Sequence, residues 1–520
     1  MLSPAIEYKR RRPEQTVLYQ VVQRELRTLV QMCEEKNRPL PTFVVQEFEK
    51  FLRCGILAHG FARVRCCDCG HDRLVGFSCK RRGFCPSCYG KWMAEKSAHL
   101  VDRVFDQIPV RQWVLALPIP FRFLLAYNGS LQSAVLKCFI DSVSRYLRHK
   151  AKREYNLTSV KEAHPAFVTG IHRSDSSAKL NLHFHTLCPD GVFIEDYHKG
   201  PMSFAEVSPP THKEIEAVAI ETCHRTIRML TKRGLWLDGD FLQDNIPDTD
   251  PALASFAAAS IQGRLLLGSN AGGQEMRVRG AAARDDVHQD PNASRGYDFN
   301  LHAKRRVEAD DPEGLEKLCR YILRPPIANS RLTWMGNDKV ALTLKRPWSD
   351  GTTQLVFTPL EFVQRLIPLI PMPGTNRLRF HGAFAPNSPY RSRVVPRPCS
   401  DEAPSCDHGQ TDVGEAGASN KGGHKADEHQ STSPSAHSDC RHQSPASKSK
   451  SLGWAKCMAR VFDLDVLTCP KCKGDMQILS FITDTPVIKK ILNSVGLSTA
   501  PPTAHPAKGQ MRFEYDYDAA

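Results

Sequence analysis

Two Cys-x-x-Cys pairs near the N-terminus place the strongest limit on how this chain folds. One pair is Cys66 with Cys69, and the other is Cys85 with Cys88, after fifteen intervening residues. Two tight turns with two thiolates each can surround a tetrahedral Zn²⁺ ion. Buried thiols without a metal explain two such pairs poorly, so the spacing predicts a structural zinc site formed by these four cysteines.

Other potential ligands leave the exact ligand set open. Near the C-terminus, Cys469 and Cys472 form a third such pair, which is either a knuckle that binds no metal or half of a second zinc site. Cys457 or a histidine upstream would complete it. Clustered thiols in a chain without an export signal are typical of metal ligands in a reducing compartment. The spare ligands near the first two pairs are Cys67, His71 and Cys79.

Length and composition narrow the class of protein. With 520 residues, of which 41% are hydrophobic, the chain is long enough for two to four domains. No apolar run is long enough for a membrane span, which predicts a cytoplasmic protein that is neither secreted nor membrane-bound. The net charge of +14 favours a polyanionic partner such as nucleic acid, although a solvated basic surface is the alternative. No phosphate-binding loop of the GxxxxGK[ST] type occurs, so we expect no ATP-driven step.

Hydrophobic periodicity and composition predict an α+β protein with four segments. The tract from 396 to 452 has almost no large apolar side chains, so it cannot repay the entropy of ordering and is predicted to be a disordered linker. The predicted segments are 1–105, helical with the zinc site; 106–395, an α+β domain with a loop-rich insertion at about 236–295; 396–452, the linker; and 453–520, a small Cys-x-x-Cys module with a tail.

A predicted hairpin of strands 167–172 and 179–188 carries His183 and His185. Residues two apart on a strand project from the same face, so both imidazoles lie on a polar face opposite Leu182 and Phe184. Two adjacent imidazoles can hold a divalent cation if a third ligand joins them. Without a companion group, a merely hydrogen-bonded pair fits the pattern better.

Tyr321 is the candidate for that companion group. A helix is predicted from Pro312 to Ile322, because Asp311 is a good N-cap and two prolines follow at 325–326. Its apolar stripe comprises Leu315, Leu318, Cys319 and Ile322. The opposite side carries Tyr321 with three cations that attract a phosphate: Lys317, Arg320 and Arg324. An ordinary amphipathic tyrosine fits the periodicity about as well as a nucleophile.

Taken together and in order, the motifs resemble a known family, the HUH-type rolling-circle transposases of the insertion-sequence ninety-one group. The resemblance covers about 15–395 and 453–498, and includes the common-region elements. Its motifs are FSCKRRGFCPSC at 77–88, WVLALPIP at 113–120, LHFH at 182–185, LCRYILRPP at 318–326, DGT at 350–352 and FHGAFAPN at 380–387.

The resemblance implies a fold and a reaction. The fold is an antiparallel sheet with the histidines on a central strand and helices beside it. His183 and His185 help to bind Mg²⁺ or Mn²⁺, and Tyr321 attacks single-stranded DNA at the ends of the mobile element. The product is a covalent 5′-phosphotyrosine with a free 3′-OH, so rejoining needs no ATP.

One departure from the founding members concerns the tyrosine. Those members carry two tyrosines one helical turn apart, but Lys317 and Pro325 occupy the positions four residues from Tyr321. The chain therefore resembles the single-tyrosine branch, in which a second strand transfer needs the 3′-OH or another subunit, as in a homodimer. Pro325 cannot supply the third metal ligand, for which His172 and His302 are the candidates.

Two alternative functions remain at this point. A plasmid replication initiator or relaxase uses the same chemistry on a different DNA origin. A catalytically inactive zinc-finger regulator would bind DNA without cleaving it. The DNA partner separates the first from a transposase, and the effect of replacing Tyr321 with Phe separates the second.

Overall fold

The computed structural model describes most of the chain. The described residues are 6–7, 11–80, 83–105, 107–195, 200–237, 240–241, 250–279, 293–296, 299–395, 464–465 and 468–508. They combine helices and sheets, so the α+β class predicted from the sequence is confirmed. No helix among them is long and apolar enough to cross a lipid bilayer.

The secondary-structure elements are as follows. The helices are α1 Val17–Glu35, α2 Thr42–Arg53, α3 Pro86–Arg103, α4 Ile119–Ala126, α5 Gly129–Glu154, α6 His212–Lys232, α7 Pro251–Gln262, α8 Pro312–Ile322, α9 Pro359–Leu366, α10 Arg391–Val394 and α11 Thr485–Ser494. The strands are β1 Ile6–Glu7, β2 Phe61–Cys66, β3 Asp72–Gly76, β4 Val110–Ala116, β5 Ala163–His164, β6 Ala166–Ser174, β7 Leu180–Pro189, β8 Gly191–Ile194, β9 Ser203–Glu206, β10 Trp236–Leu237, β11 Asp240–Phe241, β12 Met276–Arg279, β13 Ala293–Gly296, β14 Phe299–His302, β15 Arg306–Val307, β16 Leu332–Met335, β17 Lys339–Thr343, β18 Thr352–Phe357, β19 Leu378–Gly382, β20 Leu464–Asp465 and β21 Met476–Ile482.

The largest sheet contains seven strands, and all of its pairs are antiparallel. Its order is β13–β14–β4–β7–β6–β19, and β15 pairs with another part of β4. Strand β7 therefore has neighbours on both sides and lies inside the sheet. The predicted hairpin is confirmed as β6 and β7; β6 is longer at both ends than the sequence pattern indicated, and β7 is shifted by one residue.

Different helices cover the two faces of this sheet. On one face, Leu182 and Phe184 of β7 share an apolar core with Phe139 of α5 and with residues of α4 and α6. On the other face, Val168 of β6 and Leu187 of β7 share a core with α3 and α8. The face that carries the histidines is therefore the face on which α8 packs.

Helix α8 has the boundaries and the apolar stripe that the sequence predicts. The Asp311 carboxylate accepts a hydrogen bond from the backbone N–H of Gly314 at 2.7 Å and caps the first turn, with Pro312 as the first helical residue. Leu315, Leu318, Cys319 and Ile322 are all buried, whereas Tyr321 is 37% exposed. Packing of this stripe on the sheet determines the position of Tyr321.

The prediction of loops over 236–295 is wrong for residues 251–262, which form α7, and for the short strands β10, β11, β12 and β13. The Asp250 carboxylate caps the helix by accepting from the backbone N–H groups of Ala252 and Leu253, and Gly263 ends it in a left-handed conformation (φ +70°). The helix is rich in alanine, so its apolar pattern has little periodicity. Residues 238–239, 242–249 and 280–292 of the predicted insertion lie outside the described residues.

The C-terminal segment, residues 468–508, forms a sheet with the N-terminal region. Strand β21 pairs antiparallel with β2, which also pairs with β3. Ile488 and Leu492 of α11 are buried in a cluster with Leu57 and Phe61. The predicted linker, 396–452, and Cys457 lie outside the described residues, and the predicted segment boundaries stay predictions.

Candidate active site and zinc centres

The sheet brings three histidines together on one face. His172 of β6 lies directly opposite His183 of β7, and His185 is two residues further along the same strand. The ring centroids are separated by 5.1 Å (His172 to His183), 4.3 Å (His172 to His185) and 4.9 Å (His183 to His185). One nitrogen of each ring lies within 4.8 Å of the others. Of the two candidates for a third ligand, His172 joins the cluster and His302 on β14 does not.

Each histidine has one ring nitrogen in contact with the protein. His172 Nε2 donates to the carbonyl oxygen of Ile322 at 2.7 Å, and His183 Nδ1 donates to that of Asn181 at 2.7 Å. Gln112 Nε2 lies 3.0 Å from His185 Nδ1. If the Gln112 amide oxygen faces Nδ1 instead, it accepts the ring proton and leaves a lone pair on Nε2.

One of the other ring nitrogens has no partner among the described residues. His185 Nε2 is buried and has no hydrogen-bond partner within the described part of the chain. A buried polar atom without a partner is unfavourable unless a ligand satisfies it. Hydrogen bonds to the far nitrogens of metal-bound histidines commonly fix the orientation and tautomer of the rings. The donor set therefore fits a divalent cation.

Burial keeps the three imidazoles neutral. Desolvation lowers the pKa of His183 to about 4 and that of His172 and His185 well below the ordinary value. Repulsion from Arg324 and from neighbouring histidines adds to this effect. The face that the sequence pattern marks as polar is thus covered by α8. Neutral imidazole is the form that binds a metal.

Tyr321 lies beside the histidines at the end of α8. Its ring meets that of His185 edge-on, with centroids 5.3 Å apart and an interplanar angle of 89°. The Arg324 guanidinium carbon lies 4.4 Å from the centre of the Tyr321 ring. A Cβ at Gly170, opposite His185, would lie 2.4 Å from the carbonyl oxygen of Ile322, so only glycine lets the helix end approach β6 this closely.

A cationic cleft adjoins His172. Arg324 and Lys345 line it together with two buried arginines, Arg173 and Arg377, while Asp175 is its one acidic residue. The Arg377 Nε atom is buried without a hydrogen-bond partner in the described structure. Partial desolvation, followed by repulsion from Arg324 and Arg331, lowers the pKa of Lys345 to about 8. Unneutralised positive charge of this kind favours an anionic ligand.

The other two cations predicted near Tyr321, Lys317 and Arg320, contact carboxylates of α8 instead of lining the cleft. Lys317 Nζ is 3.4 Å from a carboxylate oxygen of Glu313, and Arg320 Nε is 3.9 Å from one of Glu316. Both acids belong to α8 itself. Of the three cations that the helix pattern groups with the tyrosine, Arg324 is the one that lines the cleft.

The cysteines form two clusters, which corrects the predicted zinc site. Cys66 and Cys69 do not lie with Cys85 and Cys88, because β2 and the turn after it carry the first pair away from the start of α3. The first cluster is Cys54, Cys79, Cys85 and Cys88; the second is Cys66, Cys69, Cys469 and Cys472.

In the first cluster, three sulfur–sulfur distances lie between 3.3 and 3.8 Å. Four thiolates about 2.3 Å from a tetrahedral zinc ion are about 3.8 Å apart, so the sulfurs are close to the positions that zinc requires. Sequence reasoning missed Cys54, which directly follows α2. The only sequence signal for Cys54 as a ligand is its position, twelve residues before Cys66. Cys79 was recognised as a spare ligand, whereas Cys67 and His71 belong to neither cluster.

Comparisons with known proteins agree with these two kinds of site. Residues 166–392 match a family model described as "Putative transposase", and residues 26–117 match the transposase zinc-binding domain of the IS91 type. No curated protein and no solved structure matches the chain significantly. The first match contains the three histidines, Tyr321 and the cationic cleft.

The second match contains all four cysteines of the first cluster. The chain therefore carries transposase domains of an insertion-sequence type, which supports a transposase function and DNA binding. The zinc-binding domain and the thiol clusters together support structural Zn²⁺.

Proposed function

We propose that this protein is a transposase that nicks and rejoins single-stranded DNA at the ends of its mobile element. The observation that carries the proposal is the position of Tyr321, edge-on to His185 and beside three neutral, converging imidazoles. A nucleophile next to a cation-binding group and a cationic cleft is an arrangement suited to phosphodiester transfer. The seven-stranded antiparallel sheet, with the histidines on inner strands, agrees with an HUH-type fold.

His172, His183 and His185 would hold Mg²⁺ or Mn²⁺, which when bound would polarise the scissile phosphate. Gln112, Asn181 and Ile322 orient the three rings. The Tyr321 hydroxyl loses its proton as its oxygen attacks the phosphorus, and the bond from the phosphorus to the 3′-oxygen breaks. That oxygen takes up one proton and leaves as a 3′-OH, so the step neither gains nor loses a proton overall. The DNA 5′ end stays on Tyr321 as a phosphotyrosine ester. Reversal with another 3′-OH rejoins the strand without ATP.

The cleft next to His172 gives the DNA backbone a place beside the reacting group. Arg324 lies over the Tyr321 ring and also lines the cleft, so a phosphate there is adjacent to the nucleophile. Lys345 and the free Nε of Arg377 supply further donors. We propose that this cleft binds the phosphate next to the scissile one.

The test is a cleavage assay with end-labelled single-stranded DNA from the element's terminus and Mg²⁺ or Mn²⁺. On a denaturing gel, we expect a protein–DNA adduct with the unaltered protein and none with Tyr321→Phe. Tyr155→Phe is the matched control, because Tyr155 is also exposed but lies at the end of α5. Specific DNA binding without any adduct would instead indicate a non-catalytic zinc-dependent DNA-binding protein.

A further inference from the structure

The second cysteine cluster joins parts of the chain that are about 400 residues apart. The Sγ atoms of Cys66 and Cys472 are 3.3 Å apart, and those of Cys69 and Cys469 are 3.5 Å apart. These distances are far longer than a disulfide bond of about 2.05 Å. They are close to the separation of about 3.8 Å that four thiolates adopt around zinc.

The two Cys-x-x-Cys turns have matching backbone geometry. The residue after each second cysteine, Gly70 and Lys473, has a positive φ of 70° and 66°, respectively. Its backbone N–H donates to the carbonyl oxygen of the first cysteine, at 3.2 Å for Cys66 and 2.9 Å for Cys469. A left-handed conformation is unfavourable for lysine, so its occurrence at Lys473 indicates that the turn is built for its ligands.

The surrounding contacts hold the two turns against each other. Cys66 pairs with Met476 where β2 meets β21, and the Cys67 backbone N–H donates to the carbonyl oxygen of Asp475 at 3.1 Å. Cys66, Cys469 and Met476 are buried in one small apolar cluster with Val64. The four thiols therefore converge on a prepared position.

We propose that Cys66, Cys69, Cys469 and Cys472 bind a second zinc ion, which fastens the C-terminal segment to the N-terminal region. A closed set of four thiolates is typical of a structural rather than a catalytic zinc site. Cys469 and Cys472 lie outside the matched zinc-binding domain, which ends at residue 117. The site is independent of the reaction proposed for Tyr321.

The first test is the zinc content of the full-length protein. The unaltered chain should contain two zinc ions, one for each cluster, and the double variant Cys469→Ser/Cys472→Ser should contain one. Cys67→Ser is the matched control, since this exposed cysteine adjoins the site without joining either cluster, and it should keep both ions. One zinc ion in the unaltered protein, or two in the double variant, would overturn the proposal.

A second measurement does not depend on how the variant folds. Limited proteolysis of the unaltered protein should leave residues 468–508 uncut when zinc is bound and cut them after chelation, and added zinc should restore the protection. Equal cleavage with and without zinc would show that β-sheet pairing alone holds the segment and would contradict the proposed role.

Discussion

The four-thiol clusters and the three-histidine cluster differ in what surrounds their ligands. Each thiol cluster supplies four ligands, which complete a tetrahedral shell. The histidine cluster supplies three, and Tyr321 with the cationic cleft adjoins it. A closed shell stabilises a fold, whereas an incomplete one leaves coordination positions for a substrate. One chain thus separates the metal that stabilises structure from the metal proposed for chemistry.

The variant that separates the two kinds of site most strongly is His183→Ala. Removal of one of three ligands should lower DNA cleavage by roughly a thousandfold or more, because the catalytic groups act as a unit. The zinc content should not change. His302→Ala, on strand β14 of the same sheet, is the control and should cleave normally in the gel assay. Loss of zinc in His183→Ala would mean that the two kinds of site are coupled.

Gln112→Leu should have a smaller effect on the same site. Gln112 contacts His185 Nδ1 and not the proposed ion, so its loss should raise the Mg²⁺ or Mn²⁺ concentration needed for half-maximal cleavage by about 10- to 100-fold. At saturating metal the rate should largely recover. Gln132→Leu, at another buried glutamine on α5, should leave the metal requirement unchanged. An unchanged requirement in Gln112→Leu would argue against a metal on His185.

Lys345→Met should weaken binding of single-stranded DNA by a few-fold without changing the zinc content or the binding of Mg²⁺ or Mn²⁺. If one phosphate contact is lost, the slope of log K against log salt concentration should become less negative by about 0.7. Lys317→Met is the control, because Lys317 is paired with Glu313 on the exposed side of α8. Equal effects of the two variants would remove the case for a specific cleft.

The same cleft should make DNA binding depend on pH. Because the pKa of Lys345 is lowered to about 8, its positive charge is present below that pH and is lost above it. Affinity of the unaltered protein should therefore fall between about pH 7 and 9, measured by fluorescence anisotropy without added divalent metal. This decrease should be smaller in Lys345→Met.

Short-range patterns predicted the β6–β7 hairpin and α8 well. The alternation of polar and apolar residues around His183 and His185 predicted the hairpin. The apolar stripe and the N-cap Asp311 predicted α8. Both patterns can be recognised within a few residues of sequence. The prediction that His172 lies near His183 required only the assumption that the two strands pair. Burial of the histidines was not predictable, since nothing in β7 itself shows that α8 covers that face.

The zinc centres were predicted less well because their partners are distant in sequence. The spacing between Cys69 and Cys85 suits a single site, but strand β2 pairs with β21, and this pairing brings Cys469 and Cys472 to Cys66 and Cys69. Spacing rules cannot detect such a long-range contact. Helix α7 was missed for a different reason, since an alanine-rich helix with little amphipathicity has almost no periodic signal.

The pairing of β2 with β21 also affects how this protein is made in the cell. Cys69 leaves the ribosome 400 residues before Cys469, a delay of roughly 20 to 80 seconds at 5–20 residues per second. During that interval, one edge of β2 and two thiols of the second cluster have no partner. The nascent chain therefore completes its first sheet only after the transposase domain has been synthesised, and a premature stop before residue 469 leaves that sheet open.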